Sequence, residues 1–202
     1  MKLYFSPGAC SLSPHIALRE AGLDFALEQV DLRAKQLKSG GDFRKVNPKG
    51  MVPVLQLDNG ETLTEGPAIV QYIADRNPAS GLAPPLGSIE RYHLMEWLNF
   101  VTSELHKNFT PLFRPTTPEE YKTIARETLG ERYAFLEQKL AGKPYLMGEH
   151  FSVADGYAFT VSNWTRLVKI DLAPWPNVVA FMERVRSRPK VQEAMKAEGL
   201  IK

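Results

Sequence analysis

The chain has 202 residues, 25 of them basic and 23 acidic, with a net charge of +2 and 44% hydrophobic content. That balance argues against nucleic acid as the main partner, and no apolar run approaches the roughly 18 residues of a membrane span. One cysteine, Cys10, excludes an internal disulfide, and the first residues break at Ser6-Pro7 too early for a signal peptide, so a reducing cytoplasm is the expected compartment.

In chain order, Lys2 to Phe5 reads as a short strand and Ser6-Pro7-Gly8-Ala9 as a loop. A helix is expected from about Ser11 to Ala21, with Ser11 or Ser13 as cap, Pro14 in the first turn and Gly22 as the stop. Phe25 to Val30 is a second strand. Arg33 to Val46 is polar and contains Gly40-Gly41, which predicts a short or irregular helix. Pro53–Leu57 and Glu61–Leu63 flank the turn Asp58-Asn59-Gly60, a hairpin signal. Pro67 to Ala74 is helical. The order βαβαββα joins the first three strands by crossovers and makes part of the sheet parallel. Asn77-Pro78 through Gly87 reads as a linker. Beyond it only helices are expected. They run over Ser88–Phe113, Pro118–Leu140 with a capping box from Thr117 to Glu120, a helix opened by Ser152 with Asp155 three residues on, Asn177–Arg188, and Val191–Glu198. This divides the chain into an α/β domain over 1–77, a linker over 78–87 and an all-helical domain over 88–202.

The stretch from Asn47 to Gly66 has the most chemical content. Proline cannot donate to a sheet ladder, so Pro53 leaves the backbone of Val52 short of sheet partners. Glu65-Gly66-Pro67 opens a helix whose free N–H groups favour an anion. A peptide-like ligand with a carboxylate suits both features; the alternative is an ordinary strand-hairpin-helix connection. Cys10 lies between a loop and a helix start, where a thiol is either activated toward thiolate or a small buried hydrophobe. Tyr4, Ser6 and Ser11 are rival hydroxyls, further from ionisation than a thiol. Asn99, Ser103, His106 and Lys107 recur at i, i+4, i+7 and i+8 on one helix face. That face is either solvated or holds neutral donors and acceptors for a ligand or a dimer surface. Lys35 is either a solvated charge or the partner of a ligand carboxylate. The histidines have no metal-ligand spacing, so no metal site is expected.

Taken together, Ser6-Pro7-Gly8-Ala9-Cys10-Ser11, Val46 through Pro53, Leu63 through Ile69, Glu104-Leu105-His106-Lys107 and Phe151 through Asp155 resemble the cytosolic glutathione S-transferases, specifically the bacterial beta class. The resemblance implies a thioredoxin-like N-terminal domain, an all-helical C-terminal domain and a homodimer. Glutathione is then the co-substrate, with no permanently bound cofactor, and small hydrophobic electrophiles are the second substrates. By the same resemblance Pro53 is cis, Val52 pairs with the cysteinyl part of glutathione, and Glu65 and Gly66 bind its γ-glutamyl end. Lys35 reaches the glycyl carboxylate, and Asn99, Ser103 and Glu104 lie near the tripeptide. Cys10 and His106 are the catalytic pair at the sulfur, with Lys107 adding positive charge. Trp164 lines the second-substrate pocket, and Ser152 with Asp155 is the family's helix-capping motif. Conjugation of the glutathione thiolate is the expected activity, with thiol–disulfide exchange or peroxide reduction through Cys10 beside it. The alternative is a non-catalytic interaction or carrier protein on the same fold.

Overall fold

The computed structural model describes residues 1–202 as two compact units, Met1–Ala83 together with Arg188–Lys202, and Pro84–Ser187. These units cut the chain elsewhere than the 77/88 division expected above. The closing segment belongs with the first unit, not with the helices that precede it in sequence.

In the first unit, β1 (Lys2–Phe5), β2 (Ala26–Asp31), β3 (Gln36–Leu37), β4 (Val54–Gln56) and β5 (Thr62–Thr64) form one mixed sheet in the order β3-β2-β1-β4-β5. Helix α1 (Leu12–Glu20) is the crossover that makes β1 and β2 parallel, with Leu3 opposite Leu27. The next connection contains no full helix. β4 therefore returns antiparallel to β1, with Leu3 opposite Leu55 and Tyr4 opposite Val54, which limits the parallel part of the sheet to the first pair. The segment expected as a short or irregular helix forms β3 and a single 3-10 turn, Phe43–Lys45, capped by the Asp42 carboxylate. Gly40 and Gly41, both at positive φ, prevent a longer helix there.

Side chains alternate across the sheet. Tyr4, Val30 and Val54 gather on one face with Phe43 and Val52. Leu3 and Leu55 point to the other and are fully buried. Helix α2 (Gly66–Arg76) packs beside α1, presenting Ile69, Val70 and Ile73. Helix α8 (Pro189–Ala197) covers α1 from the far end of the chain. An ion pair fixes it: Arg188 Nε and Nη2 donate to both carboxylate oxygens of Glu20 at 2.7 and 2.8 Å.

The second unit is helical. Helix α3 (Ile89–Phe100) runs through a π-helical stretch, Val101–His106, into α4 (Lys107–Phe113). α5 (Glu119–Leu140) starts after Pro118, with no side-chain cap. Thr117 does not form the expected box with Glu120, because its N–H closes a turn on Arg114. Helix α6 (Val153–Ser162) is buried along its whole length, which suits its apolar sequence, and α7 (Pro176–Arg186) packs on it. The capping pair of α6 forms as expected. Asp155 accepts from the Ser152 N–H, the Ser152 hydroxyl and the Leu146 N–H, each within 2.8 Å. Burial raises this carboxyl, against the opposing pull of its hydrogen bonds, to about 6. No helix is long and apolar enough to cross a membrane.

Candidate active site

The first unit collects Cys10, Lys35, Val52, Pro53, Glu65 and Gly66 around one end of its sheet. The Val52–Pro53 bond is cis, and β4 begins only at Val54. Val52 therefore stands outside the ladder. Its carbonyl oxygen accepts a hydrogen bond from the Cys10 thiol at 3.3 Å. Cys10 lies just before α1, behind a loop that Ser11 holds shut: the Ser11 hydroxyl donates to the Ser6 carbonyl and accepts from the Ser6 N–H. Tyr4 donates its hydroxyl to Gln56 at 3.1 Å. Two of the three rival hydroxyls, those of Tyr4 and Ser11, are thus engaged in hydrogen bonds. Desolvation pushes the Cys10 thiol up to about 11, against the pull of the backbone N–H groups of Cys10 and Ser11, with Glu65 adding repulsion. In this state the thiol is neutral and acts as a donor.

Glu65 is the residue before α2 and has φ 68°, in the region that favours glycine. Thr64 ends β5 and Gly66 begins the helix, so one residue must turn the chain from strand to helix. The turn leaves the Gly66 N–H without an intrahelical acceptor; Pro67 has no N–H, and the Ala68 and Ile69 N–H groups both donate to the Glu65 carbonyl at 3.0 Å. Glu65's carboxylate is exposed and paired with Lys49 Nζ, which also reaches the Thr64 hydroxyl at 3.0 Å. Lys49 was not singled out in the sequence; its only signal was its place in the Asn47–Gly50 turn. Lys35, at φ 58°, donates from Nζ to the Gly50 carbonyl at 2.9 Å. Its stem lies against Gly50 so closely that a Cβ there would come within 3.3 Å of Lys35 Cδ.

In the second unit the π-helical stretch divides the polar face expected from α-helical spacing. Asn99, Ser103 and Lys107 are exposed. Glu104 is held by Arg132, whose Nε donates to it at 2.7 Å. His106 turns inward instead. Its Nδ1 lies 2.7 Å from the Tyr157 hydroxyl, and its ring meets Trp164 edge-on at 4.9 Å. Desolvation, followed by the charge of Lys107, lowers its pKa to about 4, so the imidazole is neutral at neutral pH. Trp164 also meets Phe109 and Phe113 edge-on, at 5.7 and 5.6 Å. This makes an aromatic wall with Phe113 partly open to solvent. Tyr157, Phe109 and Phe113 were missed in the sequence because an aromatic residue at helical spacing reads as core. No group of three or more His, Cys, Asp or Glu side chains is placed to hold a metal ion.

Family models match both units. The glutathione S-transferase N-terminal domain matches residues 8–76, and the glutathione S-transferase C-terminal domain matches residues 100–189. Glutathione S-transferase GstA of Escherichia coli O157:H7 is 51% identical over 200 residues, spanning 99% of this chain and 100% of that one. The chain belongs to the glutathione S-transferase family. A sphingomonad glutathione S-transferase complexed with glutathione superposes with a TM-score of 0.96 at 52% identity, covering 100% of both chains. The beta-class enzyme of Sphingomonas chungbukensis does so with 0.96 at 49%, again over 100% of both. The thioredoxin-like and helical domains expected from the resemblance are those of this family.

Proposed function

We propose that this glutathione S-transferase conjugates the glutathione thiolate to small hydrophobic electrophiles. The observation that carries the proposal is the backbone of Val52, which stands outside the sheet ladder in the same unit as the Gly66 N–H at the start of α2 and the Cys10 thiol that donates to the Val52 carbonyl. Val52, beside Pro53, takes the cysteinyl amide of the tripeptide. The Gly66 N–H takes the γ-glutamyl carboxylate, and Glu65 takes the ammonium, in exchange for Lys49. Lys35 takes the glycyl carboxylate. Asn99, Ser103, Glu104 and Lys107 add polar contacts in a homodimer, and the protein works in the cytoplasm.

The catalytic groups are Cys10 and His106, which donate hydrogen bonds to the glutathione sulfur. Hydrogen bonding to the charged form lowers a thiol's pKa, and each unit of lowering is about 1.4 kcal/mol of differential stabilisation. The thiol proton leaves to solvent. The sulfur lone pair then forms an S–C bond to the electrophile, and the leaving group departs with its electron pair, or an epoxide opens to an alkoxide that water protonates. Trp164, with Phe109 and Phe113, supplies an apolar wall for the second substrate.

A second reading, exchange through a Cys10–glutathione mixed disulfide, is supported by the Cys10–Val52 contact. That contact puts the thiol at the backbone group assigned to the cysteinyl residue. The Cys10 thiolate attacks the glutathione sulfur of a mixed disulfide between glutathione and a second thiol, whose thiolate leaves; a second glutathione then attacks the Cys10–glutathione disulfide, giving glutathione disulfide and restoring the Cys10 thiolate.

The test is glutathione titration followed by the ultraviolet thiolate band of the bound tripeptide, with turnover of a chromogenic aryl halide. Saturable binding with thiolate formation at neutral pH and turnover is the expected result. Binding without thiolate or turnover would overturn it in favour of an interaction or carrier protein. Mixed-disulfide mass on Cys10, lost in Cys10→Ala while conjugation persists, would assign the two activities separately.

A further inference from the structure

We propose that Tyr157 is the positioning residue for His106: its phenolic proton is donated to Nδ1, which keeps the imidazole proton on Nε2. The proposal rests on the reading of His106 as a donor to the glutathione sulfur, and it names what makes His106 one.

The 2.7 Å contact joins two neutral groups, so one proton lies between them. Either the phenol donates to Nδ1 or Nδ1–H donates to the phenol. An imidazole nitrogen is the stronger acceptor and a phenol the stronger acid. The surroundings favour the same direction. Thr102 Oγ1 is 3.5 Å from the phenol oxygen and gives its own proton to the Leu98 carbonyl at 2.8 Å. Donation to His106 uses the short contact. The ring stays in this setting because Tyr157 and Trp164 both meet it nearly at right angles, at 81° and 70°. Tyr157 itself is held in α6, buried on every side.

The direction of the bond matters for the reaction. A neutral imidazole carries one proton. With Nδ1 occupied as an acceptor, Nε2 is a donor and supports a thiolate. With the opposite tautomer, Nε2 would present a lone pair and repel it.

The test is proton–nitrogen correlation NMR on the ligand-free protein with isotope-labelled histidine, His106 being identified by its loss in His106→Gln. At neutral pH the expected spectrum has Nδ1 unprotonated and Nε2 protonated. In Tyr157→Phe, which keeps the ring but removes the hydroxyl, a mixture of tautomers replaces the single one. The kcat/KM for conjugation then falls about threefold to tenfold, as for one neutral hydrogen bond. The same substitution in a His106→Gln background produces no further loss. A protonated Nδ1 in the unsubstituted protein overturns the proposal, as does an unchanged tautomer in Tyr157→Phe or an equal loss in the His106→Gln background. Should Tyr157→Phe not fold, the spectrum of the unsubstituted protein decides alone. Because that spectrum needs no ligand, its outcome is separate from whether glutathione is the substrate.

Discussion

The thiol of Cys10 and the carbonyl oxygen of Val52 are hydrogen-bonded at 3.3 Å, and the thiol is the donor. A thiol held this way is protonated, and desolvation keeps it so up to about pH 11. Relative to the ordinary value of 9.0, about a hundredfold fewer molecules carry a thiolate at neutral pH. Alkylation of the ligand-free protein by iodoacetamide is therefore expected to be slow, and its rate should keep rising through pH 10. A rate already at its plateau near pH 8 would contradict this. Mass spectrometry of the Cys10 peptide follows the reaction.

Glu65 combines backbone strain with the proposed grip on the γ-glutamyl ammonium. A non-glycine residue at φ 68° and ψ 113° costs on the order of 1–3 kcal/mol, while its exposed ion pair with Lys49 returns about 0–1 kcal/mol. Glu65→Gly is expected to leave stability unchanged or raised by about 1 kcal/mol, after the larger unfolded-state entropy of glycine is subtracted. Glutathione affinity should fall about tenfold or more, since a charged partner is lost. Chemical denaturation and calorimetric titration measure the two effects separately. Parallel losses of both would show that the side chain's role is structural.

His106 gives the fold a pH dependence of defined sign. Its pKa is lowered from 6.5 to about 4 in the folded protein. As pH falls below 6.5 the unfolded chain takes up a proton that the folded one refuses, and stability is lost until about pH 4. The urea midpoint of the protein should thus approach, and then drop below, that of His106→Gln over this range. A constant offset between the two would rule out the titration.

Much of this was legible in the sequence, and the residues show why. Pro53 and Glu65-Gly66-Pro67 act through local backbone chemistry, so their positions could be read directly. α1 was equally plain, from Pro14 to the stop at Gly22. The direction of β4 was not, because it depends on which end of the sheet an irregular connection reaches. β3 is two residues long and has no period to detect. The π-helical stretch defeated the i, i+4 argument for Asn99 through Lys107: an α-helical count does not hold across it. Tyr157 was invisible as a functional residue because a buried tyrosine's hydroxyl partner is set by tertiary structure.

Asp155 is the clearest stability prediction. Asp155→Ala strands the N–H groups of Ser152 and Leu146 in the core of the second unit. The expected cost is about 3 kcal/mol or more, with Asp155→Asn losing less because its carbonyl still accepts. Denaturant midpoints test this. The folded fraction should keep the kcat/KM of the unsubstituted protein, since no assigned substrate contact is touched.

The last helix binds back onto the first. Glu198 accepts from the Gly8 N–H at 2.9 Å and pairs with His15 at 2.9 Å; both partners lie within a few residues of Cys10. The unit whose synthesis begins first therefore lacks one of its walls until residues 188–202 have been made, whereas Pro84–Ser187 emerges as an uninterrupted segment. During synthesis the helical body is free to consolidate first. The thiol-bearing loop acquires the Glu198 carboxylate as a buried anchor only after the whole helical segment has been made, so a product stalled before Glu198 would carry Cys10 on a loop that lacks this anchor.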